Sequence, residues 1–195
     1  MAEPKCRYVL VDFETTGLNP ETDYPIEIGA LFLDKDFVII DTYNTLIKYD
    51  KEVNNRMNRG GRGIEWIDEF EGAYKVHGIT VSEWLANSSH VGLVAEQLQK
   101  HVKLDMGPDI QYPILMSDNI IFEAAFMKRL LNIAYPNGGI TLFHYHGYDT
   151  SMLLHLLGMK KVPSEHRAMR DVSLLYVTLL KAIDKVGGIN VNTSK

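Results

Sequence analysis

Five side chains in this sequence have the types and spacing to act together on a substrate. Asp12 and Glu14 stand one residue apart in "YVLVDFETTG" (8–17), Glu123 lies in "DNIIFEAAF" (118–126), and His166 and Asp171 share "HRAMRD" (166–171). On an extended strand, residues 12 and 14 have the same parity, so both carboxylates point to one face. Like charges that close repel, and one takes up a proton unless a cation neutralises them; the alternative is that Glu14 already lies in a turn and both acids are solvated. Hard divalent ions such as Mg²⁺ and Mn²⁺ prefer oxygen ligands gathered from separate elements, which makes Glu123 and Asp171 candidates to complete a set. His166, five residues ahead of Asp171 in a helix or in the loop entering it, is close enough to reach a water on the same ion.

The elements that must position these groups can be read from the pattern. "RYVLVDF" (7–13) is rich in β-branched and aromatic residues and reads as a strand buried on both faces. "IEIGALFLD" (26–34) and "FVIIDTYNTLIK" (37–48), separated by "KD", read as two further strands. Residues 80–104 open with Thr80 and Glu83, a capping box, and continue as two helical segments. "YPILMSD" (112–118) reads as a short buried strand, followed by a helix over 120–132. "ITLFHYHGYD" (140–149) reads as a strand and "TSMLLHLLG" (150–158) as a helix ended by Gly158. A long amphipathic helix spans 166–186. The order implies one α/β domain over 1–195, with a mixed five-stranded sheet and helices on its faces. Between the third strand and the first helices, "NNRMNRGGRG" (54–63) holds Arg56, Arg59 and Arg62 and no acid. It reads as a loop able to grip phosphates or as a solvated insertion.

The 195 residues, 46% of them hydrophobic, suffice for one core, and the net charge of −5 means that any polyanion site must be local. A single cysteine, Cys6, excludes an internal disulfide and argues against a thiolate zinc site. The amino-terminal residues lack a secretory pattern and no apolar run approaches the ~18 residues of a membrane span, so the expectation is a cytoplasmic protein without a membrane.

"DFETTG" (12–17), "DNIIFEAAF" (118–126) and "HRAMRD" (166–171) resemble, in order and spacing, the three motifs of the DEDDh (DnaQ-like) 3′-to-5′ exonucleases of the RNase H-like superfamily. "IEIGA", "VHGIT" (76–80) and "YDT" (148–150) look like further landmarks of that family, so the similarity spans about residues 7–180. The second motif departs from the usual pattern, with Asp118-Asn119 and Phe122-Glu123 where His-Asn and Phe-Asp are common. The resemblance implies an RNase H-like fold and a phosphodiester hydrolase with two Mg²⁺ or Mn²⁺ ions. It would release nucleoside 5′-monophosphates from single-stranded 3′ ends. By the same resemblance Asp12 bridges the ions, Glu14 and Asp171 complete the nucleophile side, Glu123 lies on the outer side, and His166 takes the proton from the attacking water.

It further implies that Thr15, Thr16 and Gly17 bring backbone amides to the terminal nucleotide and that Leu18 wedges beside the last base. "TTG" alone reads equally as a turn. His77 is expected near the substrate channel. Phe122 and Phe126 read as core residues, one of which could stack on a terminal base, and Phe126 is the one counted among the substrate-binding residues. Asn119 orients the sugar or caps the helix, and Asp118 is favoured as the N-cap over a supplementary ligand. His144 and His146 have a zinc-like spacing on one strand face but no third ligand nearby, and Trp66 and Trp84 read as packing anchors. The substrate expected first is DNA, with an oligoribonuclease-like or RNase T-like RNA exonuclease second and a non-catalytic nucleic-acid binder third. With no polymerase domain fused, proofreading would need a polymerase in trans; a homodimer is also compatible.

Overall fold

The computed structural model describes residues 5–49, 75–102, 112–137, 140–160 and 163–187. The arginine loop at 54–63 and Trp66 lie outside these residues. Six strands form one sheet in the order β4-β3-β2-β1-β5-β6. They are β1 (Tyr8–Thr15), β2 (Pro25–Leu33), β3 (Ile39–Lys48), β4 (Ser88–His90), β5 (Ile114–Ser117) and β6 (Tyr148–Asp149). β1 pairs antiparallel with β2 and parallel with β5, so the sheet is mixed as expected. The helices are α1 (Val81–Asn87), α2 (Val91–Val102), α3 (Ile120–Ala134), α4 (Thr150–Leu156) and α5 (Ala168–Lys185).

Alternation along β1 sorts its side chains onto two layers. Val9, Val11 and Phe13 enter a core with Val94 and Leu98 of α2 and Phe126 and Leu130 of α3. Leu10 packs the other way, with Val172, Leu179 and Ile183 of α5. Asp12 and Glu14 share the parity of Leu10, so the strand aims both acids at the side covered by α5. Gly29 lets α5 come this close: a Cβ there would stand 2.5 Å from the backbone of Ala168 and Met169.

The sheet has six strands rather than five, and both differences lie at its edges. β4 interrupts the segment expected to hold two helices. The Ser88 N–H closes α1 on the Trp84 carbonyl, and Ser88–His90 then pair parallel with Leu46–Lys48. Serine and asparagine compete for backbone hydrogen bonds and release a helix readily at such a point. At the other edge the expected strand over 140–149 is reduced to β6. Leu142 and Phe143 are buried there without joining the sheet, and only Tyr148–Asp149 pair with β5. His144 and His146 therefore sit on an irregular segment rather than on one strand face, with the His146 N–H donating to His144 Nδ1 at 3.1 Å.

Thr80 caps α1 through the Glu83 N–H at 3.0 Å. Trp84 is the anchor it was expected to be, buried and donating from Nε1 to the Ile47 carbonyl at 2.6 Å. The N-cap of α3 is Asn119, which accepts from the Phe122 N–H, and not Asp118. No helix among the described residues is long and apolar enough to cross a membrane.

Candidate active site

The carboxylates of Asp12, Glu14 and Asp171 each offer an oxygen within 4.8 Å of the others. Two come from the end of β1 and one from the first turn of α5. A register shift between Glu14 and Thr15 ends the regular pairing of β1 with β2 at this point. The arrangement confirms that Glu14 belongs to the strand and faces the same way as Asp12.

Glu123 enters from α3. Strand β5 pairs with β1 only as far as Leu10 opposite Met116, and beyond it the Glu123 carboxylate accepts a hydrogen bond from the backbone of Phe13. Its Oε2 is buried without a hydrogen-bond partner. Asp118 lines a smaller cleft, about 80 Å³, that Asp12 and Asp171 also line. Its position there, and not at a helix cap, explains its repulsive effect on Asp12.

So much negative charge in a desolvated place holds protons tightly. Burial, then repulsion from Glu14, Asp171, Asp118 and Glu27, raises Asp12 well above the ordinary carboxylate range. Glu14 is pushed up to about 8 by burial, then by Glu27 and Asp171, with Arg167 acting in the opposite direction. Glu123 is raised by burial and by Asp12. A divalent cation is the group that would remove this repulsion, and the all-oxygen donor set suits Mg²⁺ or Mn²⁺.

An open cleft of about 520 Å³ lies over the cluster and is bounded by residues 12–18, Val76, His77, Phe122, Ser164, His166 and Asp171. His166 occupies the turn before α5, with φ of 55°. Asp171 holds that turn: its Oδ1 accepts from the Glu165 N–H at 2.7 Å and its Oδ2 from the His166 N–H at 3.0 Å. Ser164 Oγ donates to Asp171 Oδ2 at 2.5 Å and lies 3.2 Å from His166 Nδ1. The ring makes this contact through Nδ1 and not through Nε2.

The substrate-facing residues are brought together unevenly. Leu18 is 84% exposed on the cleft rim. The Thr16 amide is already committed to the Tyr24 carbonyl at 2.9 Å, and the hydroxyls of Thr15 and Thr16 bond within the same loop. Gly17 leaves room for the Asp23 carboxylate, which a side chain at 17 would strike. His77 is buried beside the cleft, where its Nδ1 accepts from the Ile79 N–H. Burial, and then the nearby Arg167 guanidinium, lower it to about 4, so it is neutral at pH 7. Phe126 is fully buried in the core and lies outside the cleft, whereas Phe122, 4.7 Å from it ring to ring, lines the cleft.

Two residues at the site have no assigned role in the sequence reading. Glu27 is buried in β2, opposite Glu14, and Arg167 bonds to it. An acid inside "PIEIGALFL", otherwise apolar and buried at all nine positions, was the available signal, because such a charge requires a partner.

Fold and site together define an RNase H-like α/β domain with an acidic, metal-suited centre at the strand ends. The exonuclease family model matches residues 9–178, and the chain belongs to that family. It is 51% identical over 195 aligned residues to a DNA polymerase III PolC-type of Thermotoga petrophila, covering 94% of this chain and 12% of the polymerase. The chain thus spans about an eighth of that relative. An oligoribonuclease of Tropheryma whipplei is 28% identical over 178 residues, covering 84% of each chain. Among solved structures, the zinc-bound complex of E. coli ExoI with single-stranded DNA aligns with a TM-score of 0.63 at 17% identity, covering 93% of this chain and 41% of that one.

Proposed function

We propose that the protein removes nucleoside 5′-monophosphates from the 3′ ends of single-stranded DNA by metal-dependent hydrolysis. The observation that carries this reading is the convergence of Asp12, Glu14 and Asp171 within 4.8 Å beside His166 in one open cleft. Asp12, Glu14 and Asp171 would hold two Mg²⁺ or Mn²⁺ ions, with Glu123 at the outer side. The ions, when bound, supply charge stabilisation at phosphorus and a lowered pKa for water.

The chain's own groups do the remaining work. His166 Nε2 accepts the proton of the attacking water as its oxygen bonds to phosphorus, and the bond from phosphorus to the 3′ oxygen of the preceding nucleotide breaks. Ser164 at Nδ1 holds the ring's orientation. Leu18 and Phe122 offer apolar surface to the last base, and His77, neutral at pH 7, offers a hydrogen bond without adding charge.

The PolC-type relative favours DNA and an association with a polymerase. The oligoribonuclease relative, matched along most of both chains, supports RNA oligomers as a second reading. Matched DNA and RNA oligomers labelled at the 5′ end, incubated with Mg²⁺ or Mn²⁺, test both. Stepwise shortening of the DNA faster than the RNA is the expected result. Absence of shortening of either one overturns the reading, and faster loss of RNA assigns the second.

A further inference from the structure

Arg167 follows the proposed base His166, and its side chain is bonded to two acids outside the cluster, Glu27 and Glu83. Its Nε lies 3.3 and 3.4 Å from the two oxygens of Glu27, and its Nη2 lies 3.2 Å from Glu27 Oε1 and 3.2 Å from Glu83 Oε1. Glu27 is 2% exposed and also accepts from the Ala168 N–H at 3.2 Å. A planar fork on a carboxylate fixes direction as well as distance, which an ammonium does not. Glu83 is spent here too: in a capping box its side chain would return to its own helix, but it reaches Arg167 instead.

The other flank of His166 is fixed separately, by Asp171 holding the 165 and 166 amides. Between the two anchors, His166 adopts a left-handed φ of 55°, which a residue with a side chain keeps only where its surroundings over-determine it. Next along the chain, Ala168 is pressed against β2 at Gly29. Sheet, α1 and α5 thus meet at one guanidinium.

We infer that Arg167, clamped by Glu27 and Glu83, is a positioning residue that holds the 164–167 turn and sets the His166 ring against the carboxylate cluster. The inference rests on the exonuclease reading for its effect on rate, but the rigidity of the turn can be measured without it. A structural ion pair alone would tolerate lysine, because the charge of Glu27 would still be met.

The test compares wild type with Arg167→Lys and with the double variant Glu27→Gln/Arg167→Gln, which leaves no buried charge unpaired. Expected is a fall in kcat of about 10- to 100-fold on a single-stranded oligomer with KM within about twofold, the loss typical of a displaced catalytic group. In the metal-free protein, the backbone order parameters of Glu165 and His166 should drop from the rigid value of about 0.85 to below about 0.6, while those of α5 hold. Wild-type kcat in Arg167→Lys, or unchanged order parameters in both variants, overturns the inference. Should wild type itself show no nuclease activity, the exonuclease reading fails, and the relaxation data still decide whether Arg167 holds the turn.

Discussion

Two acidic sites on the same sheet are built on opposite principles. Asp41, on β3, meets His101 of α2, with Oδ2 and Nδ1 2.7 Å apart. The imidazole lies over Phe32, 4.9 Å away, and beside Tyr43, 5.3 Å away. Each group there has a complement supplied by the chain. At the end of β1 the chain gathers acids and sends the adjacent cation, Arg167, to Glu27 and Glu83. A charge that the sequence completes is part of the scaffold, and one it leaves open marks where an ion or substrate belongs.

The largest test of this contrast is catalytic. Asp12→Ala should abolish nucleotide release, and His166→Ala should lower kcat by about 10²–10⁴, the usual contribution of a positioned proton acceptor. Asp41→Ala should leave both kcat and KM at wild-type values. Turnover of labelled single strands in Mg²⁺ measures all three. Undiminished activity in Asp12→Ala would show that turnover does not depend on the acidic centre.

Stability should move the other way. Replacing Asp12 with Asn relieves repulsion that the metal-free protein carries, so it should raise stability by about 0.5–2 kcal/mol, a gain typical where function holds a strained site. Chemical denaturation in chelator reads this out, and a destabilised Asp12→Asn would show that the acids are not in conflict.

The pH dependence follows from Glu14. Its native-state value of about 8 lies above the ordinary 4.5, so the folded protein keeps a proton that the unfolded chain has released. This contribution to stability is complete below about pH 4.5 and is lost as pH rises towards 8. Metal-free protein should therefore become less stable across that window, and Mg²⁺ or Mn²⁺ should restore the loss by favouring the charged form. A midpoint that rises with pH in chelator would contradict the assignment.

What could be read in advance divides along the same line. Asp12, Glu14 and Asp171 were legible because strand parity and helix position are local properties, and the structure gathers their carboxylates. The edges of the sheet were not: β4 depends on Ser88–His90 finding Leu46–Lys48 across the fold, and the extent of β6 depends on which residues reach Met116–Ser117 of β5. Phe126 illustrates the same limit, since helical spacing allowed either phenylalanine to face the cleft and only packing against α2 and β1 buries this one. Glu27 carried a signal in its apolar surroundings, but its partner is 140 residues away, and pattern along the chain does not pair them.

The smallest expected effect lies at the completed site. Asp41→Asn keeps an oxygen that can accept from His101 Nδ1, and the imidazole keeps its contacts with Phe32 and Tyr43. The side chains are 20% and 41% exposed for His101 and Asp41, so solvent screens the charge interaction. The cost should be at most about 1 kcal/mol, measured by denaturation in the presence of Mg²⁺ so that the acidic centre is neutralised. Asn at 12 and Asn at 41 are the same chemical change on one sheet, and opposite signs of their effects on stability would show that the two sites differ in whether the chain supplies the acid with a partner. If Asp41→Asn stabilised the protein as much as Asp12→Asn, the excess acidity would belong to the sheet as a whole and would no longer single out the end of β1.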